Sequence, residues 1–153
     1  EGLRSTTIID DTYNSSPVAA EEALRTMESI KGFERKVAVL GDMLELGKFS
    51  DAEHKRIGAA VSKAMDILIT VGTLAKGMAD GALSAGTEKS KIFHFDSSKE
   101  AGKFLEKMVR EGDVILIKGS QSIRMERIVE EIMLHPELKE KLLVRQEEEW
   151  QRR

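Results

Sequence analysis

The sequence has no cysteine. That one absence removes disulfides, thiolate zinc sites and a cysteine nucleophile together, and it fits a reducing compartment. Histidine is scarce too, and His54, His94 and His135 lie far apart in the chain. His54 reads as a packing or surface residue, His94 falls in a strand and His135 precedes a proline, so none stands out as a ligand or a base. No apolar run reaches the roughly 18 residues of a membrane span. The segment Glu1-Gly2-Leu3-Arg4-Ser5 lacks the apolar core of a signal peptide. No membrane span and a cytoplasmic location are therefore expected. Charge of one sign is also missing. The 24 basic residues are interspersed with 27 acidic ones for a net charge of -3, so no basic face advertises nucleic acid or anionic lipid. Neither the P-loop pattern G-x-x-x-x-G-K followed by Ser or Thr nor the pattern G-x-G-x-x-G occurs. Their absence argues against independent nucleotide hydrolysis and against classical dinucleotide binding.

What remains is a chain of 153 residues, 41% hydrophobic and 33% charged, in the range of one soluble globular domain. Its first apolar strand begins within a few residues of Glu1, as expected of a domain cut from a longer protein. Short β-branched runs alternate with helix-period segments, the signature of βαβ units around a largely parallel sheet. Five strands are read at 6–9, 36–40, 66–71, 91–95 and 114–117, the fourth alternating as a half-exposed edge strand does. The first helix carries Ala20, Ala23, Leu24, Met27 and Ile30 on one face, with Ser16 as N-cap and Pro17 in the first turn. Ser50 with Glu53, and Ser97 with Glu100, read as capping boxes, and Thr73 as the cap of the third helix. A last core helix carries Met125, Ile128, Val129 and Ile132. The pattern predicts an α/β fold over residues 1–135, a mostly parallel sheet of five or six strands with helices on both faces. Residues 136–153 are charged, with Leu138, Leu142, Leu143 and Trp150 as their large apolar residues, and read as a helical or frayed extension.

In an open parallel sheet, ligands bind beyond the C-terminal ends of the strands, where helix N-termini and loops converge. Four polar segments follow strands: Asp10-Asp11-Thr12-Tyr13-Asn14-Ser15-Ser16-Pro17, Gly41-Asp42-Met43-Leu44-Glu45-Leu46-Gly47, Gly72-Thr73, and Lys118-Gly119-Ser120-Gln121-Ser122. They are expected to share one edge. Two adjacent aspartates closing a buried strand point to opposite faces, so at least one needs a partner such as a ribose hydroxyl pair or a cation. Asp11 and Asn14 read equally well as turn formers. Lys118, Gly119 and Ser120 suit an anion, with an ordinary turn as the alternative. Asp42 and Glu45 suit a cation or an ammonium group, or simply solvate their loop. A stand-alone module that binds a small anion or nucleotide without catalysis would show the same features.

Three of these segments also carry a resemblance. Asp10-Asp11-Thr12-Tyr13-Asn14 with Pro17, Val39-Leu40-Gly41-Asp42-Met43-Leu44-Glu45-Leu46-Gly47, and Lys118-Gly119-Ser120 with Arg124-Met125-Glu126 resemble the signatures of the Mur ligase family, in particular of its members that add D-alanyl-D-alanine. The likeness is collinear over about residues 6–133, and the segment from Leu40 to Gly47 is its most specific part. It implies a three-domain ligase of peptidoglycan synthesis. An N-terminal part would hold UDP-N-acetylmuramoyl-tripeptide, a central P-loop domain would hold ATP, and this Rossmann-like third domain would swing over to complete the site. The implied reaction makes an acyl phosphate from the tripeptide carboxylate and ATP with magnesium, and the D-alanyl-D-alanine amine then forms the amide and releases phosphate. ATP and Mg2+ belong mainly to the central domain, so no metal ligand and no catalytic residue is assigned to this chain. By the resemblance, Asp11 contacts the ATP ribose, with Tyr13 and Asn14 close to the nucleotide or transferred phosphate. Asp42, Gly72 and Thr73 face the incoming dipeptide. Lys118, Gly119 and Ser120 match the position where related ligases hold the carboxylate of the incoming amino acid. Two positions depart from the family pattern, Ser16 where an asparagine is frequent and Gln121 where an arginine is. The second loses a side chain able to hold a carboxylate at two points. The extension after Pro136 lies beyond the likeness.

Overall fold

The computed structural model describes residues 1–152. The apolar runs form five strands, β1 (Thr7–Asp11), β2 (Arg35–Gly41), β3 (Ile67–Val71), β4 (Ile92–Phe95) and β5 (Asp113–Lys118). All pair in parallel, in the order β1-β5-β2-β3-β4. The sheet therefore has five strands, and β4 is an edge, as its alternating sequence suggests. The chain steps outward from β1 to β4 through α1 (Pro17–Ser29), α2 (Ser50–Ala64) and α3 (Lys76–Ser84). It returns through α4 (Ser98–Met108), inserts β5 between β1 and β2, and continues into α5 (Glu126–Ile132).

The period of two along each strand sorts the core into two layers. Ala38, Leu40, Leu68, Val114 and Leu116 pack with Leu24, Met27, Ile57, Val61 and Met78 of α1 to α3. Val37, Val39, Ile69, Ile115 and Ile117 pack with Leu105, Ile128, Val129 and Ile132 of α4 and α5. Burial on both faces is why β2 and β5 read as unbroken apolar runs. Each such Leu or Ile contributes roughly 1.5–3 kcal/mol by leaving water, and cutting the fully enclosed Leu116 back to Ala costs about 2–5 kcal/mol. At the N-terminal ends of the central strands, Arg35 grips the buried Asp113 through two bonds of 2.8 and 2.7 Å, locking β2 against β5.

Two of the expected caps form. Ser16 Oγ accepts from the Ala19 amide at 3.2 Å, ahead of Pro17, and Ser97 Oγ accepts from the Glu100 amide at 3.3 Å. Two do not. Ser50 is already inside α2, because a 3-10 turn over Gly47–Phe49 runs straight into the helix and leaves no extended cap residue. Its hydroxyl lies 3.3 Å from His54 Nδ1 instead. Thr73 is exposed in a turn ahead of α3, and the amide at the N-cap position, Ala75, donates to the carboxylate of Asp42, from the loop after β2, at 2.7 Å.

After Pro136 come a 3-10 turn (Pro136–Leu138) and two single-turn helices, α6 (Lys139–Leu142) and α7 (Glu148–Gln151). Leu143 is buried against the α4 and α5 layer. Among the described residues no helix is long and apolar enough to cross a membrane.

Candidate functional site

The helices after β1 and β2 pack on one face of the sheet and the helix after β5 on the other. At the C-terminal end of β5 the chain therefore diverges from both neighbours and opens a crevice, the usual ligand position in such sheets. Register sets Lys118 level with Asp11 of β1 on one side and Leu40 of β2 on the other.

Lys118 is only 3% exposed. Its ammonium donates to Asp11 Oδ2 at 2.8 Å and to the Asn14 carbonyl at 2.9 Å. A cation this buried needs such partners to offset its lost hydration. The Asp11 side chain, by contrast, keeps 44% exposure. The neighbouring Asp10 faces the other way and closes the turn, accepting from the amide and the hydroxyl of Thr12 at 3.2 and 2.7 Å. Asn14 Oδ1 accepts from the Ser15 amide at 2.8 Å. The turn formers are thus Asp10 and Asn14, whereas Asp11 is the ion-pair partner. Tyr13 projects from the same loop with 73% exposure.

On the other side of β5 the loops after β2 and β3 meet. The Ser120 amide donates to the Asp42 carbonyl at 2.9 Å, and Ser120 Oγ accepts from the Leu44 amide at 3.0 Å. Gly119 allows this closeness, since a Cβ there would stand 2.6 Å from Met125 Cγ and 3.1 Å from the Gly41 Cα. Asp42 is buried rather than solvating its loop. Burial pushes its carboxyl above the usual aspartate range, and the amide bond from Ala75 works against that shift. Gly72, at φ +103°, makes room, because a Cβ there would lie 2.5 to 2.7 Å from the Asp42 carboxylate atoms. Thr73 and Glu45 stay exposed on the rim.

His54 is fully buried and braces the loop that begins at Asp42. Its Nδ1 lies 2.7 Å from the Ser50 carbonyl, which sets the proton on Nδ1 and leaves Nε2 to accept from the Met43 amide at 3.0 Å. The packing reading holds, and this bond is the role the sequence did not disclose.

The structure thus gathers Asp11, Asn14 and Lys118 into one cluster and Asp42 and Gly72 into a second, with Gly119 and Ser120 linking them. Beside this edge lie two clefts that share Gln121 and Trp150. One, of about 350 Å³, is also lined by Tyr13, Asn14, Arg145 and Glu147. The other, of about 360 Å³, is also lined by Leu44, Ser122 and Arg124. Sequence reasoning did not assign Gln121, Arg145 or Trp150 to a site, and the one available signal was a single tryptophan in a charged extension. Among the described residues no three of His, Asp and Glu converge as metal ligands.

Residues 1–121 match the family model described as Mur ligase, glutamate ligase domain. Over 130 residues the chain is 37% identical to the UDP-N-acetylmuramoyl-tripeptide--D-alanyl-D-alanine ligase of Bacillus subtilis, covering 84% of this chain and 28% of that protein. Its structure is similar to that of MurF ligase from Thermotoga maritima in complex with ADP, with a TM-score of 0.68 and 29% identity over 92% of this chain and 31% of that one. It is similar as well to MurF from Acinetobacter baumannii, with a TM-score of 0.69 and 28% identity over 84% of this chain and 29% of the other. The chain thus spans under a third of the length of these relatives.

Proposed function

The chain belongs to the Mur ligase family, and on that premise we propose that it is the C-terminal domain of an ATP-dependent ligase that adds D-alanyl-D-alanine to UDP-N-acetylmuramoyl-tripeptide. It works in the cytoplasm on nucleotide-linked peptidoglycan precursors, and closes against the N-terminal and central domains of the same protein. The observation that carries this reading is the Asp11–Lys118 pair at the strand-order switch. A carboxylate aimed at ribose hydroxyls beside a triphosphate suffers repulsion, and an ammonium 2.8 Å behind it offsets that charge while leaving the outer edge of Asp11 accessible. Tyr13 and Asn14 complete the nucleotide side.

The dipeptide side comprises Asp42, Gly72, Thr73, Lys118, Gly119 and Ser120. Asp42 acts there by holding the Gly72–Ala75 turn in place, since its carboxylate is committed to the Ala75 amide. Two Lys118 bonds are already made, so one N–H remains for the carboxylate of the incoming dipeptide. Magnesium and the lysine of the P-loop come from the central domain, and this chain contributes orientation.

The chain alone therefore makes no amide. The test incubates the isolated chain, and separately the full-length protein, with ATP, magnesium, tripeptide precursor and D-alanyl-D-alanine, and measures phosphate and amide. Product from the full-length protein alone is expected. Amide formation by the isolated chain at a comparable rate, or a full-length sequence without a P-loop, overturns the proposal.

A further inference from the structure

Residues 145–150, beyond the span 1–121 that matches the family model, pack against the loop after β1. The Arg145 side chain is 4% exposed. Its Nη1 donates to the Tyr13 carbonyl at 3.0 Å and its Nη2 to the Thr12 carbonyl. Its Nε faces Glu126 Oε2 at 3.4 Å. Glu126, itself 1% exposed, is also held by Arg124, whose Nη1 donates to the Trp150 carbonyl at 2.6 Å. Both guanidinium groups lie near the Trp150 ring, 5.6 and 5.9 Å from its centroid. These contacts join the extension, the start of α5 and the loop after β1, with Arg145 Nε and Glu126 Oε2 meeting as a charge pair without a hydrogen bond.

We infer that Arg145 is a positioning residue for the nucleotide loop, and that the segment from Arg145 to Trp150 forms one wall of the ligand cleft. Only a guanidinium offers a planar fork of donors that spans two consecutive carbonyls. Fixing the orientation of the peptides at Thr12 and Tyr13 fixes where Asp11, Tyr13 and Asn14 point. Glu126 lies between the buried guanidinium groups of Arg124 and Arg145, and its single negative charge is shared by both. The 350 Å³ cleft has Tyr13 and Asn14 on the loop and Arg145, Glu147 and Trp150 on the extension. Its occupant is the nucleotide, an assignment that rests on the role proposed for that loop.

The test compares the full-length protein with Arg145→Ala, Arg145→Lys and a truncation after Leu143. Steady-state kinetics for ATP and for D-alanyl-D-alanine are measured beside hydrogen exchange of the Thr12–Ser15 amides. Arg145→Ala should raise KM for ATP by about tenfold, the cost of one charged hydrogen bond, and leave KM for the dipeptide nearly unchanged. Arg145→Lys should recover part of the loss, and exchange at Thr12–Ser15 should quicken in both Arg145→Ala and the truncation. Equal changes for the two substrates, or unaltered exchange, overturn the inference. Should Arg145→Ala fold poorly, Arg145→Gln keeps most of the side chain's bulk, leaves Glu126 paired with Arg124 and carries the same expectation. If the unmodified protein forms no amide, the ligase reading fails, yet the exchange result still decides whether Arg145 holds the loop.

Discussion

Replacing Gly72 by alanine tests how the loops after β2 and β3 are joined. The new Cβ would sit 2.5 to 2.7 Å from the Asp42 carboxylate, so that side chain must swing away and abandon the 2.7 Å bond it accepts from the Ala75 amide. An L-residue at the φ of +103° found here costs about 1–2 kcal/mol, and stranding a buried amide adds roughly 1–3 kcal/mol. A loss of about 2–5 kcal/mol is expected for Gly72→Ala, a shift of several degrees or more in Tm for a chain this long. Asp42→Ala strands the same Ala75 amide without the clash and should cost about 1–3 kcal/mol, the same contribution from that bond. Because both substitutions break one shared bond, the double variant should fall short of the sum of the singles by about 1–3 kcal/mol. Urea unfolding of the four proteins measures the cycle. Additivity to within about 0.5 kcal/mol would falsify the claim that the Gly72 position and the Asp42 carboxylate compete for the same space.

Asp42 also makes a pH prediction. Its folded-state pKa is raised above 3.8 by burial, so its ionised form lowers stability at neutral pH, and that cost fades as pH falls from the raised value toward 3.8. Asp42→Asn keeps an acceptor for Ala75 without the charge, so its stability relative to the unmodified chain should be most favourable near neutrality and decline through that window. A difference that stays constant with pH contradicts it. His54→Phe should orphan the Met43 amide, cost about 1–3 kcal/mol, and speed hydrogen exchange at Met43 and Leu44. Exchange that stays slow there rules out the bracing role. In the full-length protein, Asp11→Asn and Lys118→Met should be less than additive on KM for ATP, because they disrupt one ion pair. Independent effects, one confined to ATP and the other to the dipeptide, would show that the pair does not act as a unit.

The strands and the main helices could be read from the chain alone, since burial on both faces of β2, β3 and β5 demands long apolar runs and each helix carries its own apolar stripe. The C-terminal location of the polar segments followed from the same pattern. Local signals misled where the chain entered a helix without an extended residue or where a partner came from another loop. Ser50 has the spacing of a cap, yet the chain reaches it already helical and its hydroxyl turns to His54. Thr73 precedes a helix, yet a carboxylate from another loop occupies the capping role at Ala75. Asp10 and Asp11 are alike in sequence, and only the parallel register with Lys118 distinguishes them.

By itself the sequence determined the α/β class, the sheet's apolar core, the edge that carries the polar loops and the family resemblance, because these depend on periodicity and on contiguous motifs. Tertiary structure alone decided that β5 lies between β1 and β2, that Lys118 meets Asp11, that Gly72 shelters Asp42, and that Arg145 returns to the loop at Thr12 and Tyr13. Each of these is a contact between residues far apart in the chain. Such contacts are selected by the packing of whole elements and by the need to pair buried charges, neither of which leaves a periodic trace in the order of the amino acids.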